Sequence, residues 1–532
     1  MPQKEFNLLY EPWILVMKPD GTVEEVSLLE LFRRAPEWRG LAGELPTQDV
    51  AVLRLLLAIL HAVFGRYDIE GSYAPPSSPA AALERWKAIW DFGEFPMRII
   101  KDYLLHFEDR FWLFHPEHPF YQVAGLDNAT DYTAAKLNGE LSESSNKIRL
   151  FPQRTGGGKS RLRYSEAARW LLYVNAFDDT SAKPKEKGLP SPGAGWLGKL
   201  GLITAVGENF FRTLLLNLVF LKNGEDELWG KEMPIWEKPV KADERSSITM
   251  PNNPSELLSL QSRRLLLKRE GCWVIGFALL GGDFFPKENA FSEQMTVWRN
   301  AAKKENDPLE YHPKRHDPAR QIWRDFSTLI ARGEGKHRAG VVNWLARLKA
   351  DNHISRSHFR FQTAAVKYGD KDFFVDDVFS DSISLNAGLL TALGADWINR
   401  IVDELEVTEK LTQQAGRLAQ NLAKAAGNAD GKQQRDAAKG QAYFRLDIPF
   451  RRWLEKIDPE RGEMGSVCDL WWEQARRIVR DLGKELVEQA GTRAFVGRVL
   501  TENKKEQRYT APEAFNRFLY YTSTRDALKG GR

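Results

Sequence analysis

The sequence predicts an α+β protein: a large mixed α/β domain over residues 1–380, then an all-α C-terminal bundle of four helices over residues 381–532. Three observations carry this. Short apolar strands and amphipathic segments alternate through the first 380 residues. After Asp381 the strand formers thin out, and Ala, Leu, Glu, Lys, Gln and Arg fill long segments at helical spacing. The 532 residues, 42% of them hydrophobic and including 17 Trp, 14 Tyr and 29 Phe, suffice for the cores of two to four domains.

In chain order, FNLLYEPWILVMKPDGTVEEVSLLELF reads as an apolar strand, the turn Pro19-Asp20-Gly21, a second strand and a helix. A long amphipathic helix follows from Thr47, a good N-cap, through Val50, Leu53, Leu56, Leu57, Leu60 and Phe64. Residues 80–114 repeat helical spacing with aromatics inward. Residues 140–163 are irregular and contain the basic, glycine-rich run GGGKSRLR. Strands and helices alternate from about 165 to 380. Segments 388–404, 405–427, 433–456, 466–489 and 508–526 then supply the bundle, with Asn428-Ala429-Asp430-Gly431 as a turn.

The net charge is +4, and its excess lies at one end: residues 401–532 hold 24 Lys and Arg against 20 Asp and Glu, while the first 400 balance at 52 each. So weak an excess permits nucleic-acid binding only through local patches. Cys272 and Cys468 are too few for a metal cluster of their own. No signal peptide and no apolar run of membrane-spanning length is read, so a reducing cytoplasm without membrane partners is the natural setting.

Lys183–Gly201, KPKEKGLPSPGAGWLGKLG, places four lysines around a loop too rich in Gly and Pro for regular structure. Gly193, Gly195 and Gly198 leave main chain bare enough to press against a phosphate or a nucleic-acid groove. A lysine-solubilised surface connection is the ordinary alternative. Arg154, Lys159, Arg161 and Arg163 flank Gly156–Gly158, and Arg476 and Arg480 share one helix face beside Arg477. Such clusters are also common on solvated surfaces.

Catalytic patterns are scarce. His115-Pro116-Glu117-His118-Pro119 brings His and Glu together, but two prolines preclude the helical face of HExxH. His312 and His316 sit in the loop YHPKRHDPAR. No GxSxG or paired-Asp metal motif is apparent, so no catalytic residue, metal ligand or cofactor is assigned.

Phe6-Asn7-Leu8-Leu9-Tyr10-Glu11-Pro12-Trp13-Ile14, the helix LPTQDVAVLRLLLAILHAVFG, His115–Gln122, the glycine loop at 192–196 and the late helical domain occur in a specific order. In that order the chain resembles the CasA family, the large subunits of the type I-E CRISPR surveillance complex, Cascade. The resemblance implies a non-catalytic subunit that tests double-stranded target DNA for a protospacer-adjacent motif. It also helps part the strands so that guide RNA forms an R-loop, and supports recruitment of a separate helicase-nuclease.

By the same resemblance, Pro192, Gly193, Ala194, Gly195 and Trp196 correspond to a glycine loop that enters the minor groove, where A·T and G·C differ by one amino group. Lys199 and Lys287 are rival candidates for the groove-reading lysine. Gly369, Asp370, Lys371 and Asp372 match the wedge, with lysine where the family often has glutamine and with acidic neighbours that would repel phosphate. Phe151, Gln153 and Arg154 would dock the 5′ handle of the guide RNA by stacking and hydrogen bonding. Arg476 and Arg480, in a bundle that meets the other Cascade subunits including the small ones, would hold a DNA strand by charge.

Two other readings stay open on the residues alone: a nucleic-acid-processing enzyme such as an RNA nuclease, with His115 and His118 near its chemistry, and a scaffold whose basic loops bind only protein.

Overall fold

The protein is described from a computed structural model that covers residues 4–144, 146–181, 183, 191–239, 251–284, 292–302, 310–330, 337–428, 430–502 and 505–530. It divides into two compact units. The first comprises Met1–Ile322, Arg332–Ser355 and Phe359–Ser382; the second comprises Trp323–Ala331, Arg356–His358 and Ile383–Arg532.

The first unit opens as its sequence suggests. Ile14–Met17 pairs antiparallel with Val23–Val26. Between them Gly21 takes φ +84°, and Asp20 accepts from the Thr22 amide at 2.8 Å. Helix α1, Pro46–Phe64, is then buried along almost its whole length rather than on one stripe. It is long and apolar enough to cross a membrane, a run missed in the sequence, yet 94% of its most apolar window lies inside the protein. Thr47 is not its N-cap. Leu45 holds that position, because Pro46 has its φ preset for the first helical turn and Thr47 is buried behind it. Asp49 and Gln48 instead accept from the amides of Gly43 and Glu44.

All residues of helix α2, Tyr164–Phe177, are buried as well, and it packs on α1. Strand β1, Arg263–Glu270, pairs antiparallel with β2, Trp273–Gly281, which also pairs with Thr130–Thr133. Strand β3, His358–Tyr368, lies between Thr204–Val206 and β4, Val375–Asn386. The core of this unit holds ions in pairs. The Arg54 guanidinium, 2% exposed, meets both oxygens of Glu293 at 2.8 and 3.0 Å. Such a pair is tolerated in a dry core because the geometry is bidentate.

The second unit is built on helices α3 (Ala395–Ala426), α4 (Lys432–Glu455), α5 (Met464–Glu488) and α6 (Ala511–Tyr521). The segments expected at 388–404 and 405–427 are one helix of 32 residues beginning at Ala395. Its buried seam runs on through Ile401, Leu405, Thr408, Leu411, Ala415, Leu418 and Leu422, with nothing to break it near 404. Before it, Ala387–Leu390 and Ala392–Gly394 form 3₁₀ turns. The centre is aromatic: the Phe450 ring lies 4.5 Å from Trp323 and 5.1 Å from Trp471. A hairpin, β5 (Arg498–Glu502) with β6 (Lys505–Tyr509), interrupts the helices in a stretch whose Glu, Lys, Gln and Arg content reads as helical. Gly497, at φ +72° and too close to the Tyr509 carbonyl for a side chain, turns the chain into it.

Glu232 is buried, and burial pushes its carboxyl up to about 7 against the hydrogen bond from Ser255. A raised carboxyl contributes stability below the unfolded value and loses it as pH rises through the folded one. Glu232→Gln, permanently neutral, should therefore gain unfolding free energy relative to the natural protein as pH goes from about 5 to 8, by up to on the order of 3 kcal/mol. A pH-independent difference between the two in calorimetry would mean that Glu232 is ionised in the fold.

Candidate nucleic-acid interface

Helix α2 delivers two adjacent carboxylates, Asp178 and Asp179, into the interior. Acids at a helix C-terminus face the negative end of its dipole, so this pair requires cations. Four are present. Lys136 Nζ lies 3.3 Å from Asp178 and 2.9 Å from Asp179. Lys147 Nζ lies 3.2 Å from Asp179, Lys183 Nζ 2.7 Å from Asp178, and Arg263 Nε 2.6 Å from Asp178. Burial alone would raise the Asp178 carboxyl, but Lys183, Lys136 and Arg263 hold it well below the carboxylate range. Burial, with Arg263 nearby, lowers Lys183 to about 8. For Lys136 burial is outweighed by the two aspartates, which hold its ammonium above the usual lysine value.

This cluster grips the glycine loop from behind. The Gly195 amide donates to the Asp178 carbonyl at 2.8 Å, and Arg263 donates to the Gly193 carbonyl at 2.7 Å. Trp196 donates through its amide to Ser262 and through Nε1 to Glu293. The expectation that bare main chain at Ala194, Gly195 and Trp196 faces a ligand is corrected here: all three are buried, Ala194 at 2% exposure. A Cβ on Gly195 would stand 2.4 Å from the Ala176 carbonyl oxygen, and one on Gly198 would stand 2.1 Å from the Tyr368 hydroxyl. These glycines serve close packing. The outer edge of the loop is Ser191, Pro192 and Gly193, the last at φ +61°, with Lys199 Nζ 3.8 Å from where a Gly193 Cβ would sit. Lys287 lies outside the described residues.

The matched wedge is the tip joining β3 to β4. Asp370 and Lys371 are exposed, and Phe373 and Phe374 are 47% and 40% exposed. Lys371 and Asp372 both take left-handed backbone, at φ +53° and +57°. Asp372 is not a free repelling charge, since Arg315 clamps its two oxygens at 2.7 and 2.8 Å. The tip is tied to the segment that carries the glycine loop: Thr180 Oγ1 donates to the Lys371 carbonyl and the Thr180 amide to that of Asp372, at 3.1 and 2.9 Å. Tyr368 donates to the Phe177 carbonyl at 2.7 Å.

Among the guide-docking candidates, Phe151 is 93% exposed and Gln153 is exposed, beside Ile148 and Leu150. Arg154 is different. Its guanidinium spans Glu140 and Glu166 at 3.0 and 2.9 Å, so it braces the loop. In the second unit Arg480 donates to the Leu519 carbonyl and to Thr522, and Arg476 to the Ser523 carbonyl and Glu473. Both therefore cap the C-terminal end of α6, against the expectation of arginines facing a strand. Both also line an open groove whose exposed cations are Arg452, Lys456, Arg477 and Lys484, the last paired with Asp481.

His115 uses Nδ1 to accept from the amides of Glu117 and His118, at 3.0 and 2.8 Å, with its ring stacked on His118. That is turn chemistry. Among the described residues no group of three His, Cys, Asp or Glu side chains forms a metal site. Sequence reasoning missed Asp178, Asp179, Thr180, Lys147 and Arg315. The one available signal was two acids directly after an apolar helix.

Residues 7–482 match the profile of the CRISPR-associated protein Cse1 family. CasA/Cse1 of Thermus thermophilus is 29% identical over 528 residues, covering 94% of this chain and 96% of that one. The solved structure of Thermobifida fusca Cse1 is 31% identical with a TM-score of 0.82, covering 99% of this chain and 97% of that chain. A chain of a solved CRISPR RNA-guided surveillance complex, at 16% identity, shares the fold alone, with a TM-score of 0.67 over 92% of this chain and 100% of its own.

Two neighbouring glycines should respond differently to the same methyl group. Gly195→Ala drives a Cβ into backbone and should cost about 1–3 kcal/mol. Gly193→Ala meets only ordinary contact with the flexible Lys199 side chain and should lose only roughly 1 kcal/mol for its left-handed φ. Scanning calorimetry of the two variants measures this, and equal small losses would show that Gly195 is not packed.

Proposed function

The chain belongs to the CRISPR-associated Cse1 family, and from that premise we propose that it is the large, non-catalytic subunit of an RNA-guided Cascade complex that reads a short motif in duplex DNA and starts strand opening. One observation carries the finer reading: the Asp178–Thr180 turn anchors both the glycine loop and the tip between β3 and β4. Two elements that act on adjacent base pairs need a fixed offset, and a shared anchor in the core supplies one.

The burial of Ala194–Trp196 narrows the contact. Gly193 and Lys199 meet the groove, while Ala194, Gly195 and Trp196 hold them there. Recognition through a backbone edge and one lysine in the minor groove is short and permissive. Lys371 presents the tip cation to phosphate, with Asp372 neutralised by Arg315. Exchanging DNA pairing for guide pairing is close to balanced in an RNA-guided single-protein effector, and the same balance here lets one well-placed side chain decide whether opening begins. Phe151 and Gln153 stack on and bond the guide handle, with Arg154 bracing them. In the bundle, Arg452, Lys456 and Arg477 hold a DNA strand, in place of Arg476 and Arg480. The other Cascade subunits, the small ones among them, complete the site. Cleavage falls to a recruited helicase-nuclease, in a cytoplasm where Cys272 and Cys468 stay unpaired.

Footprinting of the reconstituted complex on targets that differ only beside the guide-matched region tests this. Protection should depend on those base pairs, fall steeply with salt and leave the DNA intact; equal protection of every target overturns the reading. Lys371→Ala should slow strand opening about tenfold, equivalent to ~1.4 kcal/mol of barrier, with initial binding little changed. Equal opening rates would remove Lys371 from the wedge.

A further inference from the structure

The tip between β3 and β4 carries a conformational problem. Its two left-handed residues are Lys371 and Asp372, whereas its single glycine, Gly369, has an ordinary extended φ of −70°. Left-handed backbone is unfavourable for residues with a Cβ, and persists only where surroundings over-determine it. An exposed loop of Asp, Lys and Asp has no core of its own to do so.

The surroundings act on three consecutive carbonyls. Lys371 O accepts from Thr180 Oγ1 at 3.1 Å, Asp372 O accepts from the Thr180 amide at 2.9 Å, and Phe373 O accepts from Lys147 Nζ. The Lys147 ammonium also lies 3.9 Å from the Phe373 ring centroid. Lys147 is itself fixed by Asp179 Oδ2 at 3.2 Å and Ser181 Oγ at 3.0 Å. Arg315 adds the side-chain clamp on Asp372. Within the tip the amides of Gly369, Asp372 and Phe373 donate to the carbonyls of Phe374, Gly369 and Asp370. Of the bonds named here that reach it from outside, all but the Arg315 clamp lead back to the buried acidic pair that also grips the glycine loop.

We infer that Lys147 and Thr180 form a clasp on these three carbonyls that imposes the left-handed tip, and that both are positioning residues for strand opening. Neither touches DNA in this scheme. They fix the backbone from which Lys371 projects, so that its ammonium is presented in one direction rather than searched for by a mobile loop. Lys147 stands four residues before Phe151, so the clasp also joins the loop proposed to dock guide RNA to the tip proposed to part the strands. The functional half rests on the preceding proposal; the clasp stands on the geometry alone.

The test uses Lys147→Met and Thr180→Val, each removing one polar group at nearly constant volume. In the full chain, hydrogen exchange at the Asp372 and Phe373 amides should accelerate about tenfold or more, while the Phe361 amide inside β3 stays protected and reports an intact fold. Lys147→Arg should restore part of the protection. In the assembled complex, fluorescence of 2-aminopurine beside the motif should report opening slowed about threefold or more, with equilibrium binding to motif duplex within about twofold. Unchanged exchange at Asp372 and Phe373 overturns the clasp, whatever the complex does. Faster exchange with an unchanged opening rate overturns its role in opening. A natural complex without motif-dependent opening overturns the functional proposal and that role together, and exchange still decides whether the clasp exists.

Discussion

Two carboxylates buried side by side at the wrong end of a helix repel each other and the helix dipole, and this constraint organises the first unit. Asp178 and Asp179 are stable there only because Lys136, Lys147, Lys183 and Arg263 converge on them from four parts of the chain. Removing one member of such a network leaves an uncompensated buried charge, typically worth about 3–5 kcal/mol. The cluster therefore specifies position as much as stability. Gly193, Gly195, Lys371 and Asp372, far apart in sequence, all bond to residues within the segment that carries it or to the cations on it.

The glycines of the 193–198 loop show how one composition supports opposite uses. Absence of a side chain exposes main chain to a ligand, and equally lets main chain approach other main chain. Gly195 against the Ala176 carbonyl and Gly198 against Tyr368 are the second case, and only Gly193 remains at the rim. The loop is thus an anchored edge, whose recognition surface is smaller and stiffer than an open loop would offer.

Arginines in the second unit follow the same logic. Arg476 and Arg480 sit on one helix face as their spacing requires, and that face meets the end of α6, where unsatisfied carbonyls attract guanidinium groups. Arg154 is likewise held between Glu140 and Glu166. A basic side chain free to bind a polyanion is one that the fold has left without a carbonyl or carboxylate to serve. Sequence spacing does not reveal which those are.

What the chain's own order of residues determined was local and periodic. The mixed α/β start, the turn at Pro19–Gly21, the presence of a long helix before Gly65 and the helical character after Asp381 all follow from hydrophobic period, turn residues and propensity, which act over a few neighbours. The order of those elements was enough to suggest the family. Tertiary structure alone decided that α3 is one helix with no end near 404, that a hairpin of helix-like composition closes at Gly497, and that Thr47 lies behind a proline instead of capping. It alone decided which glycines are packed, which cations are spent, and that Thr180 and Lys147 hold the tip at 371–373. Those outcomes depend on groups that meet from distant segments, where burial and the pairing of charge outweigh anything the adjacent residues prefer.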